Sequence, residues 1–190
     1  MRRAQLRAAA SVPLVAVMLA GCGGDKDPPK VTAGKIVSGD TENGMKLKVE
    51  TFVPAASDPT LKSLEAFRAK SGYPAVDYHR VTADNTKGAI PDRIRDVTFA
   101  KDANAIATGQ GTEARFACDA LQYEWPPVEP RTTTQTYDEL MKKVCAIQPN
   151  KADSVAPGSR AVYYLVTDRS FGQRGIRGMS IFGPRSEQLK

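Results

Sequence analysis

The chain holds 190 residues, of which 41% are hydrophobic, 25% charged and 7% aromatic. That size and mix suit one globular domain on a single core, and exclude a multidomain machine, a long disordered tail and a polytopic membrane protein. The formal charge of +6 includes Arg2, Arg3 and Arg7, which fall in a segment read below as removed on export; without them 24 basic residues face 21 acidic ones, and a net +3 gives no reason to expect nucleic acid as a partner.

Three arginines and no acid in residues 1–7, then an uncharged, mostly apolar stretch from Ala8 to Ala20, are the marks of an exported precursor. The stretch is short against the roughly 20 residues of a membrane span, and Pro13 and Gly21 interrupt it. Leu19-Ala20-Gly21-Cys22 resembles the lipobox of bacterial lipoproteins. The resemblance implies that residues 1–21 are a signal peptide and that Cys22 takes a diacylglyceryl group and becomes the first residue of the mature chain. The plainer alternative is an ordinary signal peptide, or an anchor helix, with an incidental cysteine. Two acyl chains, at about 0.8 kcal/mol per buried methylene, anchor a protein stably where one does not. Residues 22–40, with Gly23, Gly24, Pro28, Pro29, Gly34 and Gly39, lack apolar periodicity and read as a flexible tether, leaving 41–190 as the folded domain.

Met45, Leu47 and Val49 alternate with Lys46, Lys48 and Glu50, which predicts a half-buried strand. Asp58-Pro59 supplies an N-cap and a first-turn proline. Leu61, Leu64 and Phe67 or Arg68 share a face and Gly72 is placed to end the run, so 59–71 reads as a short amphipathic helix over one edge of a sheet. Tyr73 to Ala83 is rich in β formers and closes at Asp84-Asn85-Thr86, a turn composition. Ile94 to Ala100 predicts a strand with Val97 and Phe99 on one face. Ala105 to Thr108 reads as its short partner across Asp102-Ala103-Asn104, and Ala114 to Tyr123 as a further strand carrying Phe116 and Cys118. The prolines of 125–130 cannot continue a central strand. Thr136-Tyr137-Asp138-Glu139 has the T-x-x-E form of a capping box and opens a second helix, with Leu140, Met141 and Val144 on one face. Pro157-Gly158 precedes a strand from Ala161 to Thr167, and Gly172 to Gly175 separate it from a last strand, Ile176 to Phe182, as in a hairpin. Some seven short strands with turns between them predict an all-β sandwich with two short helical insertions.

With Cys22 lipidated, Cys118 and Cys145 remain, and an even count outside the cytoplasm favours a disulfide. The loop it closes corresponds to roughly 3.5 kcal/mol of chain entropy. A metal site has little behind it, since there is no C-x-x-C and His79 is the only histidine.

The order of these features resembles the telokin-like, immunoglobulin-fold domain of unknown function found in bacterial lipoproteins. The likeness rests on the strand ending at Asp84-Asn85-Thr86, on Val97-Thr98-Phe99-Ala100-Lys101-Asp102-Ala103, and above all on Ala156-Pro157-Gly158-Ser159-Arg160-Ala161-Val162-Tyr163-Tyr164, where a Pro-Gly turn leads into a penultimate strand. It covers about residues 43–183. It implies an immunoglobulin-like β-sandwich and, because the family has no general activity, implies no reaction.

Catalytic constellations are sparse. A Ser-His-Asp or Cys-His site needs a histidine base, and His79 sits in a β-rich run beside Val81 and Ala83, where it reads as a strand residue with a hydrogen-bond partner. Asp84, Asp92, Asp96 and Asp102 are too spread for a calcium loop. Gly109-Gln110-Gly111 lacks the strand-to-helix setting of a phosphate cradle and reads as a turn. No cofactor or metal is expected. Trp125 beside prolines reads as a plug at the core's edge, with an extended recognition surface as its alternative. From Gly158 onward, Arg160, Arg169, Arg174, Arg177, Arg185 and Lys190 outnumber Asp168 and Glu187, a local +4. Arg169, Arg174 and Arg177 flank the glycine-rich turn and make a candidate contact for polyanions, each basic group near such a surface being worth around 1 kcal/mol.

The sequence therefore predicts a non-catalytic, lipid-anchored binding module on the outer face of the cell membrane, whose partner is anionic lipid, a cell-wall polymer or another envelope protein. The alternatives are an envelope hydrolase with a carboxylate pair that spacing does not reveal, and a structural partner of another surface protein.

Overall fold

The computed structural model describes residues 36–94, 96–100, 105, 108–127, 134–150, 153–169, 178–180 and 187–188. Its first strand, Val37–Asp40 (β1), lies in the segment expected to end the tether. An edge strand needs backbone donors and acceptors and one anchoring side chain; here Val37 is buried and the strand pairs antiparallel with Lys46–Phe52 (β2), Val37 opposite Val49. In β2 the predicted alternation holds, with Leu47 and Val49 inside and Lys46 and Lys48 in solvent.

Helix α1, Pro59–Lys70, buries Leu61, Leu64 and Arg68, carries its proline in the first turn and ends before Gly72, whose φ of 75° suits a residue without Cβ. Asp58 is at the N-cap but makes no side-chain cap bond. Arg68 ties the helix down: Nε and a terminal nitrogen donate to Glu65 at 2.7 and 2.8 Å, the other terminal nitrogen donates to the Tyr73 carbonyl, and the Tyr78 hydroxyl donates to Glu65 at 3.0 Å.

The central strand, Val76–Asp84 (β3), is paired along its whole length with Arg160–Asp168 (β8). Between them in sequence come Asp92–Arg93 (β4), Val97–Ala100 (β5), Thr112–Phe116 (β6) and Ser154–Val155 (β7), and after them Gly178–Ser180 (β9) and Glu187–Gln188 (β10). Eight strands form one antiparallel sheet in the order β1-β2-β3-β8-β6-β5-β9-β10, and β4 pairs with β7 in a separate ribbon. The sheet turns over on β6, where Ala114 faces β5 while Arg115 and Phe116 face β8, and it curls until β10 approaches β1. Leu47, Val49, Val81, Tyr163 and Leu165 from one half meet Val97, Phe99 and Met179 from the other in a single buried cluster. On the opposite face Phe52, Tyr78 and Val166 pack against Leu61 and Leu64 of α1 and against Leu140 and Val144 of α3, Thr134–Ala146. The protein is thus mostly antiparallel sheet with a few short helices, as predicted.

Four local expectations are corrected. Residues 117–124 do not continue a strand; Ala117–Asp119 (α2) and the π-helical turn Ala120–Glu124 follow β6 directly, because Ala117, Ala120 and Leu121 bury together at helical spacing. Ala105 packs on Ala100 and Thr108 enters a turn, and the partners of β5 are β6 and β9. Thr136 lies inside α3 and does not cap it. And β8 and β9 do not form a hairpin, since β6 and β5 stand between them.

Asn85, in the turn after β3, is fully buried and joins three segments. Its amide nitrogen donates to the carbonyls of Ile90 and Val155 at 2.9 and 2.8 Å, its backbone N–H donates to Ser159 O, and its carbonyl accepts from Gly158 and Gly88. A Cβ on Gly88 would fall 1.7 Å from the Asn85 side-chain oxygen. Gly88→Ala is therefore expected to destabilise the fold by about 2 kcal/mol, read as a lower denaturation midpoint, whereas Lys87→Ala, at an exposed neighbour, should leave it unchanged.

Candidate functional site

Cys118 in α2 and Cys145 in α3 form a disulfide, their Cα atoms 4.8 Å apart. It pins the helical layer across the excursion that contains Trp125, which is 3% exposed and stacked on Tyr73 with ring centroids 6.4 Å apart. Trp125 is the plug that the simpler reading favoured.

His79 is on the inner face of β3 and fully buried. One ring nitrogen is 3.0 Å from the Thr51 hydroxyl, the other 2.8 Å from that of Thr167, and the ring meets Phe99 edge-on at 5.0 Å. In the neutral ring one nitrogen donates and the other accepts, so both are satisfied. Burial pushes its pKa down to about 3. The imidazole is a neutral bridge between β2 and β8, sealed from any substrate.

Carboxylates meet at Arg115, whose two terminal nitrogens donate to Glu124 at 2.7 Å and Asp168 at 3.0 Å. Burial raises the pKa of Glu124, the adjacent guanidinium opposes that shift, and Asp168, Glu113 and Asp119 add to it. Both carboxylates are thus ion-paired to one guanidinium, and the Asp168 side chain is 67% exposed, on open surface instead of in a cleft.

Of the predicted basic cluster, only Arg169 falls among the described residues. Arg169, directly after β8, keeps only 22% of its side chain exposed and sets Nε 3.9 Å from Asp77 Oδ1, so its charge is matched inside the sheet's end. Arg174, Arg177 and Cys22 lie outside the described residues. Further cations stand on the sheet's outer face. Register places Asp40, Lys46, Asp84 and Arg160 in one row across β1, β2, β3 and β8, and Ser38, Lys48, Thr82 and Val162 in the next row but one. All of these but Val162 line a trough of about 810 Å³ on the sheet's outer face, beyond the helices. Asp84 accepts from the Thr86 hydroxyl at 2.5 Å and its N–H at 3.0 Å, bonds that with Arg160 beside it hold its carboxyl below the usual range. Lys46 and Lys48 form no ion pair among the described residues, and hydroxyls stand on either side of Lys48. The alternation in β2 foretold that both lysines share the solvent face; that Ser38, Thr82 and Arg160 join them follows only from the register. Compared with known proteins, the chain matches no family model, no curated protein and no solved structure.

Proposed function

We propose that the protein is a lipid-anchored, non-catalytic binding module on the outer face of a bacterial cell membrane, that its curled sheet is a form of the immunoglobulin-like sandwich, and that its trough meets an anionic polymer of the envelope. The binding half rests on Lys46 and Lys48, two ammonium groups without an ionic partner among the described residues, beside the hydroxyls of Ser38 and Thr82 on an open face. Anionic groups spaced along a hydroxylated chain match that pattern by charge and by hydrogen bonding. The anchored half rests on the Leu19-Ala20-Gly21-Cys22 box, and a disulfide suits an oxidising compartment. The sandwich reading is supported by the two halves of the sheet sharing one core across β6. A hydrolase has less behind it, because the one histidine is spent on two threonines and Glu124 and Asp168 share one guanidinium.

Full-length protein is expected to sediment at low salt with insoluble wall material that retains its anionic polymer, and not with the same material after the polymer is stripped. Lys46→Gln with Lys48→Gln should weaken this about tenfold, with an unchanged melting temperature, and salt should abolish it. In fractionated cells Cys22→Ser should leave the membrane or stall as a precursor. Equal sedimentation of the double variant, or of stripped wall, would overturn the binding reading; normal processing and membrane retention of Cys22→Ser would overturn the anchor.

A further inference from the structure

A second concave feature lies on the other side of the helical layer. Residues of helices α1 and α3 line a groove of about 750 Å³. Its floor is Ala66, Phe67, Tyr137 and Leu140, with the rings of Phe67 and Tyr137 5.6 Å apart. The Tyr137 hydroxyl donates to the Leu121 carbonyl at 2.7 Å, so the ring offers the groove no free polar group. Lys70 and Lys143, each in the last turn of its helix, stand on the rim and form no ion pair among the described residues; Glu139, the acid on the rim, already has a partner.

We propose that this groove binds a free long-chain fatty carboxylate, its hydrocarbon laid on the Ala66–Phe67–Tyr137–Leu140 floor and its carboxylate held by Lys70, one turn beyond Phe67. The volume falls in the range of about 300–1,000 Å³ typical of small-ligand sites, whereas a docked helix would need about 1,000 Å² or more of buried surface for a stable interface. The groove runs along the twelve residues of α1, about 18 Å at 1.5 Å per residue, which suits one extended chain. Cations without an ion pair among the described residues, beside an apolar floor, select an anionic head over a neutral one. The proposal is independent of the anchor and of the trough, since it uses neither Cys22 nor the outer sheet face.

The test is photolabelling of the full-length protein in isolated membranes with a diazirine-bearing hexadecanoic acid, beside the matching hexadecanol, followed by peptide mapping. The acid is expected to label peptides from 59–71 and 134–146, and Ala66→Trp, which fills the floor from an exposed position, should cut that labelling about tenfold. Ser63→Trp serves as a second blocking variant if the first lowers the melting temperature. Lys70→Gln with Lys143→Gln should reduce labelling by the acid about fivefold and leave the alcohol unaffected. Cys22→Ser should label as the parent does wherever it is found, so failure of the anchor and failure of the groove are separately visible. Label that persists in both tryptophan variants, label that maps elsewhere, equal labelling by acid and alcohol, or protection by an acidic amphipathic peptide but not by unlabelled acid would each overturn the proposal.

Discussion

Acidification from about pH 7 to about pH 4 is expected to remove several kcal/mol of stability through His79 alone. Its folded pKa is lowered to about 3 by burial, against about 6.5 in an unfolded chain. Between those values the unfolded state binds a proton that the folded state refuses, so stability is complete above the unfolded pKa and falls with pH at up to about 1.4 kcal/mol per unit. Water is excluded from the ring by Phe99 and the strands on either side, and the hydroxyls of Thr51 and Thr167 already satisfy the neutral form. Urea midpoints across this window would show the slope. His79→Gln should be less stable near neutrality yet flatter between about pH 6.5 and pH 4, which separates the histidine from the carboxylates that titrate lower. Parallel curves for the two proteins would refute the assignment.

Reduction of the Cys118–Cys145 bond is expected to cost about 3 kcal/mol. The cysteines are 27 positions apart, and the loop between them holds the π-helical turn, Trp125 and most of α3. Closing it removes many conformations from the unfolded chain, while in the folded state it joins two helices that already share the apolar layer with Leu121, Leu140 and Val144. Cys118→Ala with Cys145→Ala should therefore lower the urea midpoint as far as reductant lowers that of the parent, and reductant should have no effect on the double variant. A change below about 1 kcal/mol, or two alkylatable thiols in protein purified without reductant, would contradict it.

Local signals in the sequence were reliable where one period ran long enough. Leu47 and Val49 against Lys46 and Lys48 fixed β2, and Pro59, Leu61, Leu64 and Gly72 fixed α1, because each pattern is complete within a few residues. Around Phe116 the same logic failed: Phe116 and Cys118 alternate like a strand, while Ala117, Ala120 and Leu121 repeat like a helix, and so short a run satisfies both periods. Pairing was less legible still. Nothing near Arg160 announces Asp84 as its partner, so neither the trough nor the place of β6 as the turning strand could be read from spacing. His79 was legible as a strand residue; the match of Arg169 to Asp77 depends on the end of β8 lying beside the start of β3.

The pairing of β3 with β8 also sets an order of events. Strands β1 to β3 can zip as a meander as soon as they emerge, but the other edge of β3 waits for a strand whose Arg160 lies 76 positions beyond Asp84. At a synthesis rate of about 5–20 residues per second that interval lasts roughly 4–15 s. During it a nine-residue edge carrying Val76, Tyr78 and Val81 stands open to wrong partners. Strand β8 is the clasp that ends the exposure, and a chain threaded through a membrane start-first cannot close it until nearly all of its length has crossed.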